Sequence, residues 1–175
     1  YCCSPINGFM LYLGEVINNA TQLNPFLMGI TVAVLVGCAL TLPISSVAIC
    51  VMLGIDGLAA GAATAGCCAQ MIGFAVISYK DNGIGGFISQ GVGTSMLQIG
   101  NIARKPIIWL SPIIASAILG PVSTCLLGMT NNALGAGMGT SGLVGPLATY
   151  ATMTEQGAST WPLVTKILSL HIIAP

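Results

Sequence analysis

Charged side chains interrupt this chain at only eight positions: Glu15, Asp56, Lys80, Asp81, Arg104, Lys105, Glu155 and Lys166. Between them lie uncharged runs of 40 residues (16–55), 23 (57–79), 22 (82–103) and 49 (106–154), together 134 of the 175 residues. A helix needs about 20 apolar residues to cross the hydrocarbon core of a bilayer. The two longer runs therefore each have room for two passes, or for one pass and a re-entrant segment.

Inside the runs the pattern changes from place to place. Residues 1–23 read as the tail of a helix and a polar loop ending at Asn24-Pro25. A span over 25–42 follows, opened by a proline whose missing N–H has no intrahelical partner to lose. Pro43 interrupts it, and Ser45 and Ser46 stand ready to satisfy a freed carbonyl, so 44–55 is expected to be a kinked or half span. The run 57–79 predicts a full span whose first half is crowded with Gly and Ala, residues that let helix backbones approach closely. Lys80-Asp81-Asn82-Gly83 predicts a polar turn.

The run 82–103 differs in kind. Gly83, Gly85, Gly86, Gly91, Gly93 and Gly100 share it with Gln90, Thr94, Ser95, Gln98 and Asn101. Glycine costs about 1 kcal/mol against alanine in a helix interior, so the segment reads as re-entrant or lined by protein. A span over 107–128 comes next, with Trp109 near the interface and Pro121 breaking it late. Glycines crowd the chain again after Thr130. They predict a second re-entrant segment at 130–142, a half span at 143–153, a loop around Glu155 and the start of another span at 161–175.

Composition agrees. Only 5% of residues are charged and 55% are hydrophobic, whereas a soluble domain carries about 25% charged residues. The expected architecture is all-α: a polytopic transmembrane helix bundle over residues 1–175, with broken glycine-rich segments. It is read as a fragment of a larger fold, because the chain starts at Tyr1 and stops at Pro175 within an apolar stretch. A net charge of +0 and a lone Arg104-Lys105 pair leave no footprint for nucleic acid. Cys38, Cys50, Cys67, Cys68 and Cys125 lie in apolar runs and read as small apolar side chains, while Cys2-Cys3 and a distant His171 lack metal-ligand spacing. No metal, cofactor or catalytic side chain is expected, and membrane lipid is an expected partner.

One word occurs twice. Gly91-Val92-Gly93-Thr94-Ser95 and Gly137-Met138-Gly139-Thr140-Ser141 are both G-x-G-T-S, and each follows a Pro-x-Ser-Ser/Thr word, at Pro43 and Pro121. Broken backbone at membrane depth is tolerated only inside protein or beside a water-filled cavity. Paired interruptions point to a transporter's substrate site. Candidate substrate ligands are Thr94, Ser95, Gln98, Asn101, Asn131, Asn132, Thr140 and Ser141, with the backbone of Gly91, Gly93, Gly137 and Gly139. These neutral donors and acceptors suit a sugar or other polyhydroxylated molecule better than an ion. A plainer reading makes the words helix-packing motifs whose hydroxyls bond across helices. Asp56, Glu15 and Glu155 read as loop residues, and His171 as a packed, hydrogen-bonded side chain.

Leu-Pro-Ile-Ser-Ser at 42–46, Gly-Leu-Ala-Ala-Gly-Ala-Ala at 57–63, Gly-Thr-Ser-Met-Leu-Gln at 93–98 and Gly-Ala-Gly-Met-Gly-Thr-Ser-Gly-Leu-Val-Gly at 135–145 carry a resemblance. Over about Pro25 to Met153 the chain resembles the membrane IIC components of the bacterial phosphotransferase system, in the branch that includes PfoR-type regulators. The resemblance implies an all-helical, dimeric protein of the bacterial inner membrane. It further implies a permease that binds a sugar, moves it across and presents it to a cytosolic phosphorylated IIB partner, itself charged by IIA. The alternative it leaves open is a membrane sensor that transports nothing. The positive-inside bias puts Lys80, Arg104 and Lys105 on the cytoplasmic side.

Overall fold

The computed structural model describes Tyr12 and residues 24–175. Tyr12 apart, the expected helix tail and loop over 1–23 lie outside the described residues, as do Glu15, Cys2 and Cys3. Helix α1 (Pro25–Thr41) opens on its proline and stops before Pro43, which has no N–H to continue the ladder. Ser45 does not satisfy a carbonyl freed by that proline, as the sequence led us to expect. It caps α2 (Ser46–Met52), its hydroxyl accepting the Ala48 N–H at 3.2 Å. Ser46 turns away altogether and donates to the Gly137 carbonyl at 2.7 Å.

Helix α3 covers Gly57–Ile88 as two helical pieces joined at a kink, which falls in the polar turn expected at Lys80–Gly83. Only Gly83 leaves helical geometry, at φ 60°, ψ −154°, a region open almost only to glycine. The chain folds back there, so that Asn82 and Gln90, on the two sides of the kink, both donate to Ser78 Oγ. The chain continues through a π turn (Ser89–Gly93), a 3-10 turn (Ser95–Gln98) and α4 (Ile99–Arg104). Together these make a hairpin that leaves α3 at Asn82 and comes back beside it at Arg104. At its far end a Cβ on Gly91 would rest against Ala75 and Ile72, two to three turns back along α3.

Helix α5 (Ile107–Pro121) is not broken by Pro121. Past it the chain widens into a π turn (Val122–Leu126), closed by Leu127 N donating to the Val122 carbonyl, while Thr124 Oγ1 donates back to the Gly120 and Pro121 carbonyls. The short α6 (Ala133–Ala136), a 3-10 turn (Ser141–Leu143), α7 (Val144–Glu155) and α8 (Thr160–Leu168) with a terminal π turn (Ser169–Ile173) complete the fold. Among the described residues there is no strand. The stretches Gly57–Gly93 and Ile107–Leu126 are each long and apolar enough to cross a membrane.

Helices α1, α3 and α5 pack on one another through glycine contacts. A Cβ on Gly66 would fall on the Ala33 carbonyl, and one on Gly120 on the carbonyl of Gly29. Filling a contact this close forces backbones apart, at a typical cost of about 1–3 kcal/mol or more. Where lipid is as apolar as the side chains, such close fit supplies the attraction between helices. Val32, Val36, Ile49 and Cys50 form one buried cluster, while Leu119, Met129, Leu163, Ile167 and Leu170 form a second. Ile107, Leu110, Ile114 and Ile118 run up the open face of α5, as a lipid-facing stripe would.

Candidate functional site

The two G-x-G-T-S words meet. Thr140 Oγ1 donates to the Gly91 carbonyl at 2.5 Å, and Ser141 Oγ donates to the Gly93 carbonyl at 2.9 Å. The first word offers backbone acceptors because the π turn and the extended Thr94 (φ −160°, ψ 141°) leave them outside an α-helical ladder. The second offers hydroxyls because its backbone curls through Gly139 (φ 54°), Gly142 (φ 53°) and Leu143 (φ 60°), closing with Gly145 N donating to Gly139 O. Gly137 and Gly139 sit where no side chain fits, against the backbones of Val47 and Cys67. The Ser46 hydroxyl and the Cys67 thiol donate to Gly137 and Ala136 carbonyls, tying the second word to α2 and α3.

Asn131 and Asn132 hold this backbone in place. Asn131 is buried, donates to Thr64 Oγ1 at 2.7 Å and to the Gly145 carbonyl at 3.3 Å, and accepts the Asn132 N–H. Its main chain also pairs in both directions with Gly57 across an isolated antiparallel bridge. Asn132 caps α6, its side chain accepting the Gly135 N–H at 2.9 Å. Asp56, read as a loop residue, accepts the Ala133 N–H and helps to start the same helix.

Gln98 and Asn101 sit elsewhere. They line a cavity of about 330 Å³ at the open end of the hairpin, with Asp81, Asn82, Arg104 and Lys105. A directed chain of bonds forms its wall: Asn101 Nδ2 donates to Gln98 Oε1 (2.7 Å), Gln98 Nε2 to Gln90 Oε1 (3.0 Å), and Gln90 Nε2 to Ser78 Oγ (2.8 Å). Asn82 Nδ2 donates to the same Ser78 oxygen. Gln90 directly precedes Gly91, so a continuous polar track leads from the cavity to the seam between the words. By contrast, a larger cavity, of about 470 Å³, is an apolar groove between α1 and α5, lined by Phe26, Ile30, Ile118 and Leu126 among others. Nothing there would hold a hydroxyl.

Ser95 joins a third group. Its hydroxyl lies 3.2 Å from that of Thr41, which donates to Gln70 Oε1. The same oxygen accepts Trp109 Nε1–H at 3.2 Å, and Gln70 Nε2 donates to Ser116 Oγ. Gln70 is wholly buried in mid-α3 and couples α1, α5 and the hairpin. Thr94 spends its oxygen on the Met96 N–H. The eight candidate side chains thus fall into five groups: Thr140 and Ser141 at the seam, Asn131 and Asn132 behind it, Gln98 and Asn101 at the cavity, Ser95 with Thr41 and Gln70, and Thr94 in the hairpin's own bonding.

Sequence reasoning passed over Gln70 and Ser78, and read Asn82 as part of a turn, Gln90 only as polarity within its segment and Trp109 as an interface marker. The signal for Gln70 was present: a lone carboxamide in an uncharged run must find partners when it is desolvated. His171 is buried as expected, but neither ring nitrogen finds a hydrogen-bond partner, and the same holds for the Ser123 hydroxyl.

A family model described as "Phosphotransferase system, EIIC" matches residues 1–175, the whole chain. No curated protein and no solved structure matches it.

Proposed function

The chain belongs to the phosphotransferase system EIIC family, and from that premise we propose that it is the unit that binds a sugar and carries it across the bacterial inner membrane for phosphorylation by a cytosolic IIB partner. The observation that supports this reading is the polar track. A cavity of about 330 Å³, walled by Asn82, Gln98 and Asn101, runs by hydrogen-bonded carboxamides into the seam of the two broken segments. Ligand cavities of about 300–1,000 Å³ with a few convergent polar groups are the usual size and make-up of small-molecule sites. Carboxamides offer a donor and an acceptor on one planar group, which matches adjacent sugar hydroxyls.

In this reading the cavity is the cytoplasmic vestibule, on the side marked by Lys80, Arg104 and Lys105. The seam closes the path beyond it. Opening requires the Thr140 and Ser141 hydroxyls to release the carbonyls of Gly91 and Gly93, four groups that a sugar's own hydroxyls can then satisfy. The test is accumulation of labelled sugar phosphate in vesicles containing the full-length protein, with IIA, IIB and phosphoenolpyruvate inside. Asn82→Ala combined with Asn101→Ala is expected to cut accumulation about tenfold or more, since each removes partners for a buried hydroxyl. Undiminished accumulation in that variant would remove the cavity from the path. No accumulation by the wild-type protein across a panel of hexoses, pentitols and disaccharides would overturn the permease reading.

A further inference from the structure

A neutral sugar has no use for a cation, yet two of the chain's four basic residues stand at this cavity. Arg104 occupies the last turn of α4 and Lys105 is the residue after it. Their backbone is fixed: Lys105 N donates to the Asn101 carbonyl at 2.9 Å, and the Lys105 carbonyl accepts the Ile108 N–H at 3.1 Å. The turn that carries the two cations therefore also carries Asn101, and cavity wall and charge move as one piece. Asp81 contributes the only carboxylate among the cavity's lining residues, leaving it one positive charge in excess.

We infer that this corner is a binding site for a phosphate group, and that the cavity takes a small phosphorylated polyol or sugar with its phosphate on Arg104 and Lys105. The inference rests on the permease reading for the identity of the rest of the ligand. Guanidinium presents a planar fork of donors that matches phosphate oxygens, and lysine adds a mobile point charge. Asn82 and Asn101 then face the ligand's hydroxyls, and the Asp81 carboxylate accepts from one of them.

Two plainer explanations account for less. Positive residues favour cytoplasmic loops, but that bias does not make two exposed ones line the same half-open cavity as Asn82, Gln98 and Asn101. Arginine also favours helix C-termini, but α4 has only six residues and little dipole to oppose. A basic corner at a membrane face can hold the phosphate of an anionic lipid. Lipid headgroup and soluble ligand share that phosphate chemistry, and the lipid and soluble arms of the experiment separate them.

The experiment is calorimetric titration of inorganic phosphate, then of glucose 6-phosphate, into the full-length protein in discs of pure phosphatidylcholine. Saturable binding is expected. It should weaken about tenfold or more in Arg104→Gln with Lys105→Gln, since a charge-assisted hydrogen bond is worth about 1.5–3 kcal/mol. Arg104→Lys should recover part of it, and a matching thermal midpoint for all variants shows that folding is unchanged. Absence of phosphate binding by the wild-type protein overturns the inference. So does binding that the double variant retains. Variant-sensitive retention of phosphatidylglycerol, seen by native mass spectrometry where neither soluble probe binds, assigns the corner to lipid and likewise overturns it. Wild-type sugar accumulation without phosphate binding sinks this inference alone, whereas no accumulation sinks the permease reading.

Discussion

The two G-x-G-T-S words share their letters and do opposite work. In the first, a Cβ on Gly93 would meet nothing and one on Gly91 only ordinary contacts, and the carbonyls of both accept hydrogen bonds. In the second, Gly137 and Gly139 are pressed against the backbones of Val47 and Cys67, and the hydroxyls of Thr140 and Ser141 donate. The first word is a loosely held acceptor edge on a hairpin, while the second is a wedge fixed between α2 and α3. A repeated motif in a membrane chain therefore marks two halves of one junction, and it does not mark two equal sites.

The sharpest way to break that contrast is to add a methyl group to each side. Gly139→Ala combines a positive φ with overlap onto Cys67, and should cost about 3 kcal/mol or more of stability. Gly93→Ala should stay within about 0.5 kcal/mol. Thermal unfolding in detergent measures both, and equal losses would show that the two words are packed alike.

A smaller effect separates the hydroxyls. Thr140→Val leaves the buried Gly91 carbonyl without its donor and should cost about 1–3 kcal/mol. Ser141→Ala, at a more exposed bond, should cost about 0.5 kcal/mol by the same thermal measurement. In transport terms the order should reverse in sign: a seam weakened at Thr140 opens more readily, raising uncoupled leak of substrate in vesicles without IIB. Least of all, Thr94→Ala removes only an exposed local cap to the Met96 N–H and should cost less than about 0.5 kcal/mol, with leak unchanged.

Much of the fold was legible because the bilayer leaves few options. The breaks at Pro43 and around Gly91 and Gly139 could be read from proline and glycine alone. Their partners could not. That Ser46 serves Gly137, and Thr140 serves Gly91, depends on how closely α2, α3 and the hairpin approach, which is set by contacts such as Gly66 on Ala33 far along the chain. Lys80–Gly83 looked like a turn because polar letters usually mean one. In the structure the chain does turn there, at Gly83, whose backbone geometry joins two helical pieces. Asn131 and Asn132 looked like ligands because they are polar amid apolar neighbours; in the structure Asn131 donates to Thr64 and to the Gly145 carbonyl, and the Asn132 oxygen accepts the Gly135 N–H. The charged corner beside Asn101 went unread since Arg104 and Lys105 had a ready topological explanation.

The bond between Asn131 and Thr64 joins residues 67 positions apart. At about 5–20 residues per second of synthesis, α3 therefore waits roughly 3–13 s for the segment that locks it. Thr64 is equipped for the wait, because its own hydroxyl donates back to Ala60 at 2.8 Å and leaves no hydrogen unspent in lipid. Its oxygen keeps a lone pair for the late-arriving carboxamide. The helix can thus enter the membrane first and be fastened afterwards, so the chain's order of assembly is written into a single threonine.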